Sequence, residues 1–117
     1  MTHPLAAISP LDGRYSTKVT ELQAYFSEAA LIRFRLLVEI EWLIHLCNVI
    51  ELPGTRTIPA KDVRWLRKIY QEASSRALER VKVIESTTNH DVKAVEYFLK
   101  EKMAKNLLFI PLILCKS

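Results

Sequence analysis

Apolar residues recur at helical spacing in several separate stretches of the chain. In the longest stretch, between residues 29 and 50, steps of three and four residues join the apolar side chains into a stripe, and further apolar positions widen it. This pattern predicts a long helix buried in a bundle or at a subunit interface. The stripe contains Ala30, Leu31, Phe34, Leu37, Val38, Trp42, Leu46 and Val49, and it is widened by Leu36, Ile40, Leu43 and Ile44.

The shorter stretches predict further helices and an all-α fold. One helix is expected to begin near Ala60 and another near Ser75, and helical spacing resumes after residue 91 until about residue 103. Ser27 can cap the long helix, with Glu28 in its first turn. The segment from Leu52 to Pro59 contains two prolines and a glycine, so it predicts a loop.

The first residues of the chain predict an extended arm. Pro4, Pro10 and Gly13 lie within residues 1–16, which lack apolar periodicity and should end in a turn. A short helix is expected to run from Ser16 or Thr17 to Tyr25. The predicted organisation is therefore an arm at residues 1–16, a helical domain at 17–104 and an apolar tail at 105–117.

Composition and charge exclude few classes of protein. Half of the 117 residues are apolar, which favours a folded globular chain, and the net charge is +4. Lysine and arginine are interleaved with glutamate, so solvated helix faces are favoured over a nucleic-acid surface. A basic helical protein that binds nucleic acid stays as a weak alternative, because no concentrated basic face is present.

The cysteines, histidines and amino-terminal residues give no sign of a metal site or of export. Cys47 and Cys115 lie far apart, which favours a reducing, cytoplasmic compartment, and no secretory signal pattern is seen. His3, His45 and His90 are too dispersed to be proposed as ligands, so no metal site is predicted. Trp42 and Trp65 fit apolar stripes and are expected to pack in the core.

The densest polar chemistry lies at residues 88–91, where a helix is predicted to begin. Thr88 and Asp91 match a capping pattern in which the threonine oxygen caps the helix and the carboxylate occupies its first turn. That pattern leaves Asn89 and His90 unexplained, at a position where unpaired backbone N–H groups favour an anion. A purely structural turn and a binding site both remain open, and His90 is interpreted as a neutral binding group rather than a proton donor.

A second polar turn contains Arg14 and Tyr15. Its structural interpretation is a turn in which Gly13 adopts a positive φ and Tyr15 anchors the arm. Its functional interpretation is a forked guanidinium and a hydroxyl presented to a phosphate or carboxylate. Taken by itself, this short motif favours the structural interpretation.

Taken together, the two motifs resemble the adenylosuccinate lyase family, in its bacterial branch, within the fumarase and aspartase superfamily. The resemblance covers residues 5 to about 104 and is carried by two segments in the family's order and separation, residues 8–15 and 87–102. It implies an all-α amino-terminal domain and a cytoplasmic enzyme of purine biosynthesis that forms homotetramers without a metal or organic cofactor.

The family's reaction is the elimination of fumarate from adenylosuccinate and from the related succinylated carboxamide ribotide. By position, the resemblance implies substrate-binding roles for Arg14, Tyr15, Asn89, His90 and Asp91. The family's general base, a serine on a mobile loop, and its general acid, a histidine in a later block, have no counterparts in these 117 residues. Because acid–base catalysis needs both groups, the chain is expected to bind substrate but not to turn it over.

After Lys105 the sequence departs from the family pattern and becomes apolar, as a frameshifted or truncated reading frame would. The stretch from Leu107 to Cys115 is shorter than the ~20 residues that span a membrane, so no membrane anchor is predicted. An alternative function is a noncatalytic helical module that associates with full-length lyase subunits through the stripe around Phe34, Leu37, Val38 and Trp42.

Overall fold

The computed structural model describes residues 3–106, and helices dominate them. No strand occurs within this range, so the predicted all-α class is confirmed. The predicted tail lies outside the described residues from residue 107 onward, while Lys105 and Asn106 still belong to a helix. The elements in chain order are two 3-10 helices, Pro4–Ala6 and Thr20–Leu22, and then α1 (Gln23–Phe26), α2 (Glu28–Asn48), α3 (Ala60–Glu72), α4 (Ser75–Thr88) and α5 (Asp91–Asn106).

The chain divides into two compact units, of which the first ends at Leu31 and the second begins at Ile32. In the first unit, residues 9–18 form successive turns. The helix predicted from Ser16 or Thr17 begins only at Thr20, and so that prediction was wrong at its start. The Thr20 hydroxyl lies 3.3 Å from the carbonyl oxygen of Ser16 and 3.2 Å from that of Thr17, a side-chain bond that competes with regular helix.

The start of α2 follows the sequence prediction. The backbone N–H of Ala30 donates to Ser27 Oγ at 3.0 Å, which confirms the predicted cap. Glu28 lies in the first turn, where a carboxylate is stabilised by the helix dipole.

The second unit encloses the hydrophobic core. The buried face of α2 packs with the buried sides of α3, α4 and α5, and each of these helices contributes at least one side chain that is almost fully buried. The core residues are Ile32, Leu36, Ile40, Leu43, Ile44, Cys47, Ile58, Leu66, Val81, Ala94, Val95, Phe98, Leu99 and Met103.

The face of α2 that packs in the core contains the residues predicted only to widen the apolar stripe. Leu36, Ile40 and Leu43 are at most 1% exposed, whereas Val38 is 62% and Trp42 51% exposed. The expectation that Trp42 packs in the core is therefore wrong for this chain, while Trp65 packs against the core as predicted. Because both faces of α2 are apolar, periodicity could not tell which face the other helices would cover.

Two polar contacts hold α2 to the segments that follow it. Asn48 bonds Ile58 in both directions, accepting its N–H at 2.7 Å and donating to its carbonyl oxygen at 3.1 Å, and this fixes the predicted loop. Arg67 donates two hydrogen bonds to the Glu41 carboxylate, at 2.8 and 3.1 Å, and the Tyr70 hydroxyl donates a third at 2.8 Å. These donors lower the pKa of Glu41, with the Arg67 bond as the largest cause.

Helices α4 and α5 form an antiparallel pair that is joined by the short turn at Asn89 and His90. A bidentate ion pair ties their exposed faces: Arg80 Nε and Nη2 donate to the Glu101 oxygens at 3.0 and 2.6 Å. Among residues 3–106, no helix combines the length and the apolarity needed to cross a membrane.

Candidate functional site

The turn between α4 and α5 places Asn89 where few residue types fit. Asn89 follows the last residue of α4, and its φ of 54° and ψ of 29° are left-handed. Its N–H closes the helix on the Glu85 carbonyl oxygen at 2.8 Å. Asparagine is the residue after glycine that best tolerates this conformation, so Asn89 has a clear structural role as well as a candidate binding role.

The cap of α5 is His90 and not Thr88. The Nδ1 atom of His90 accepts the backbone N–H of Lys93 at 3.2 Å. Thr88 is the last residue of α4, and its hydroxyl both accepts the N–H of His90 at 3.3 Å and bonds the His90 carbonyl oxygen at 3.1 Å. The predicted threonine cap was therefore wrong, because histidine can also supply an N-cap acceptor and the sequence pattern gave it no weight.

The Nδ1 bond determines which part of His90 can meet a ligand. A nitrogen that accepts a hydrogen bond carries no proton, so the neutral ring holds its hydrogen on Nε2. No hydrogen bond from the described residues reaches Nε2 or the side-chain amide of Asn89, and both side chains are exposed. The site therefore presents a ring N–H donor beside an amide.

Each carboxylate oxygen of Asp91 has a bonding partner. Oδ1 accepts the backbone N–H of Val92 at 2.8 Å, and Oδ2 lies 2.8 Å from Arg35 Nη2 on α2. The Val92 bond and then the nearby Arg35 charge lower the pKa of the Asp91 carboxyl. Asp91 stands in the first turn of α5, as predicted.

These bonds change what the start of α5 can bind. The N–H groups of Val92 and Lys93 already donate to Asp91 and His90, so they are not available to a ligand. The carboxylate of Asp91 also adds negative charge at the helix terminus, where an anion was expected to bind. A ligand at this turn would therefore be recognised by side chains rather than by the helix backbone.

Two carboxylates lie further along the boundary between α2 and α5. Burial and the nearby Glu96 raise the pKa of Glu39. Glu96 Oε2 is buried and accepts no hydrogen bond from the described residues, while Lys93 Nζ stands 3.4 Å from it. Arg35 and Glu39 lie one helical turn apart on α2, and both face charged residues of α5. Arg35 faces Asp91, and Glu39 faces Glu96.

Arg14 and Tyr15 lie in the first unit. The Arg14 guanidinium stacks over the Tyr15 ring, 5.1 Å from the ring centroid, and the Tyr15 N–H donates to the Pro10 carbonyl oxygen at 2.8 Å. Gly13 does not have the expected positive φ. Glycine is needed there for space, because a Cβ atom would lie 2.6 Å from the Pro4 carbonyl oxygen.

The structure thus groups the candidates in two turns, Arg14 with Tyr15 in the first unit and Asn89, His90 and Asp91 in the second. Arg35 was missed by sequence reasoning. The available signal was that Arg35 is charged yet lies next to the buried Leu36 and one turn before Glu39. A charged residue in that position is expected to pair with a group on another helix. Within residues 3–106, no group of three or more His, Cys, Asp or Glu residues could hold a metal ion.

Comparison with known proteins finds adenylosuccinate lyases among the relatives of this chain. No family model matches the chain. The chain is 48% identical to an adenylosuccinate lyase of Dictyostelium discoideum over 106 residues, 90% of this chain and 23% of the relative. It is 46% identical to that of Escherichia coli (strain K12) over 86% of this chain, and 48% identical to that of Haemophilus influenzae over 85% of it, each match covering 22% of the relative.

The described residues define an all-α helical domain, and these matches make the chain similar in sequence to adenylosuccinate lyases. The resemblance to adenylosuccinate lyase is confirmed at the level of sequence. A match over 90% of 117 residues necessarily includes both turns that carry the candidate residues. The chain spans less than a quarter of the length of these relatives, a share that fits an amino-terminal segment.

Proposed function

We propose that this chain forms part of the substrate pocket of an adenylosuccinate lyase, which eliminates fumarate from adenylosuccinate and from the related succinylated ribotide. The observation that carries the proposal is the identity of 48% to an enzyme of that name over 106 residues, a match that includes all five candidate residues. The geometry of the α4–α5 turn supports it, because an exposed ring N–H and an amide are presented together.

The proposed binding roles follow from the groups that each side chain offers. His90 donates its Nε2–H to an acceptor on the nucleotide, and Asn89 offers both a donor and an acceptor. Arg14 pairs with a phosphate or carboxylate through its planar fork, and Tyr15 adds a hydroxyl. Asp91 contributes at the same turn through its hydrogen bond with Val92 and its ion pair with Arg35.

We further propose that the 117-residue chain binds substrate without turning it over. The serine base and histidine acid expected from the family resemblance have no counterparts in these residues, and proton transfer requires both groups within hydrogen-bonding reach. The family's homotetramer and a cytoplasmic location are proposed on the same resemblance.

Titration of isotope-labelled chain with adenylosuccinate, followed by NMR, tests the binding proposal. Saturable shifts should centre on Asn89 and His90, and His90→Gln combined with Asn89→Ala should abolish them. His45→Gln is the matched control, since His45 is an exposed histidine stacked on Trp42, with ring centroids 5.9 Å apart. Shifts that persist unchanged in the double variant would contradict the proposed site.

A parallel assay for fumarate tests the absence of turnover. Adenylosuccinate incubated with the purified chain should release no fumarate above the rate without protein. Release that scales with chain concentration would show that catalytic groups are present.

A second candidate function is association with full-length lyase subunits through the outer face of α2. The exposure of Phe34, Val38 and Trp42 favours it, because exposed apolar side chains in a row often mark a protein interface. Co-purification of the chain with an intact adenylosuccinate lyase should be lost in Trp42→Glu. Equal recovery of the wild type and the variant would exclude this surface.

A further inference from the structure

Arg35 and Asp91 connect the core helix α2 to the first residue of α5. The Nη2 atom of Arg35 lies 2.8 Å from Asp91 Oδ2, and the Arg35 side chain is only 26% exposed. A long side chain that is three-quarters buried has lost much of its freedom, and its guanidinium is held near one position. The ion pair therefore joins two helices at a defined point.

The other half of the Asp91 carboxylate reaches the backbone of α5. Oδ1 accepts the N–H of Val92 at 2.8 Å, and one residue further the N–H of Lys93 donates to His90 Nδ1 at 3.2 Å. Arg35, Asp91, the first turn of α5 and the His90 ring thus form one continuous series of bonds. The orientation of His90 depends on the placement of that turn.

We infer that Arg35 is a positioning residue for the candidate site: through Asp91 it fixes the start of α5 and holds His90 with Nδ1 bonded inward and Nε2–H outward. In this assignment Asp91 connects Arg35 to the α5 backbone. Its contribution to ligand binding, which rests on the proposed function, is exerted through His90.

A simple stabilising ion pair would have different consequences. Exposed ion pairs contribute little, and loss of one lowers stability without altering a particular ring. A positioning residue changes the hydrogen-bond state of His90 while the fold persists. The nitrogen chemical shifts of the imidazole report that state, because they differ between a bonded Nδ1, an unbonded Nδ1 and a protonated ring.

The test compares Arg35→Gln, Arg35→Lys and Arg33→Gln in the full 117-residue chain. Arg33 is a matched control on the same helix, with its guanidinium 4.5 Å from the Phe34 ring centroid. In Arg35→Gln the His90 nitrogen shifts should move toward those of an unbonded ring. The Val92 and Lys93 amides should exchange roughly tenfold faster relative to the amide of the buried Leu99. Arg35→Lys should restore most of both signals, and Arg33→Gln should leave them unchanged.

A ligand arm separates this inference from the proposed function. Adenylosuccinate affinity should fall roughly tenfold in Arg35→Gln and recover in Arg35→Lys. If the wild-type chain binds no adenylosuccinate, the proposed function fails, while the His90 shifts and amide exchange still decide the role of Arg35. Identical His90 spectra and exchange rates in Arg35→Gln and Arg33→Gln would overturn the assignment. If Arg35→Gln does not fold, Asp91→Asn breaks the same connection and is judged by the same signals.

Discussion

The turn between α4 and α5 and the turn that follows Pro10 carry the five candidate residues, and they are held in different ways. Side-chain bonds fix the first: His90 and Asp91 each accept a backbone N–H, and Arg35 ties Asp91 to a core helix. Backbone bonds and tight contact at Gly13 fix the second. Side chains can therefore be exchanged in the second turn with less risk to its shape than in the first.

Because the turn after Pro10 depends on tight contact at Gly13, we expect Gly13→Ala to be the most disruptive change at either turn. The new Cβ would meet the Pro4 carbonyl oxygen at 2.6 Å, and a backbone oxygen cannot move aside as a flexible side chain can. We expect a local cost of roughly 1–3 kcal/mol. Hydrogen exchange at the Tyr15 and Ser16 amides should accelerate accordingly.

Ala7 provides the control for that prediction, because its Cβ is the next contact at 3.1 Å. Adding Ala7→Gly to Gly13→Ala should give little recovery. Full recovery would show that the side-chain contact, and not the Pro4 oxygen, makes glycine necessary.

At the other turn, His90→Ala should cost about 1 kcal/mol, the usual loss when an N-cap acceptor is removed. His90→Asn should recover that stability, because asparagine caps well, yet it should not recover adenylosuccinate binding. Chemical denaturation and NMR titration measure the two properties separately. His45→Ala serves as the control for loss of an exposed imidazole. Recovery of both properties in His90→Asn would mean that the ring itself is not needed.

A smaller effect is expected from glycine at the left-handed positions. Ala73 ends α3 with a φ of 36°, and Asn89 ends α4 with a φ of 54°. Ala73→Gly should stabilise the chain by about 0.5–1 kcal/mol, since alanine is strained there. Asn89→Gly should change stability less, because asparagine already tolerates this conformation, while it should weaken ligand binding. Equal gains at both positions would show that Asn89 is strained too.

The dependence of stability on pH should separate two acids on the boundary between α2 and α5. The Asp91 pKa is lowered in the folded chain, so its stabilisation is present at neutral pH and lost as the pH falls through the folded pKa. The Glu39 pKa is raised by burial and by Glu96, so its stabilisation is present in acid and lost as the pH rises through the folded pKa.

Thermal unfolding across acidic and neutral pH measures this difference. Asp91→Asn should lower stability at neutral pH and have little effect in strong acid, and Glu39→Gln should raise stability at neutral pH. Arg35 and His90 face Asp91, whereas Glu96, which pairs with Lys93, faces Glu39. The same series in Arg35→Gln should therefore reduce the Asp91 effect. A loss of stability in Glu39→Gln at neutral pH would contradict the assigned cause of its raised pKa.

The sequence by itself determined helices α2 to α5, the loop at residues 52–59, the Ser27 cap and the relationship to adenylosuccinate lyases. These features depend on residue spacing, on local turn chemistry and on the order of motifs, all of which can be read from the linear sequence. It also identified both polar turns. The roles of their five residues in binding stay predictions.

Only the tertiary structure decided which face of α2 is buried, that His90 rather than Thr88 caps α5, that Gly13 is needed for space, and that Arg35 meets Asp91. Each of these depends on which groups the folded backbone brings close together. Arg35 and Asp91 are 2.8 Å apart in space but lie on different helices, and no local pattern specifies that distance. Several side chains of similar polarity could make each such contact, and the packing of the helices determines which of them does.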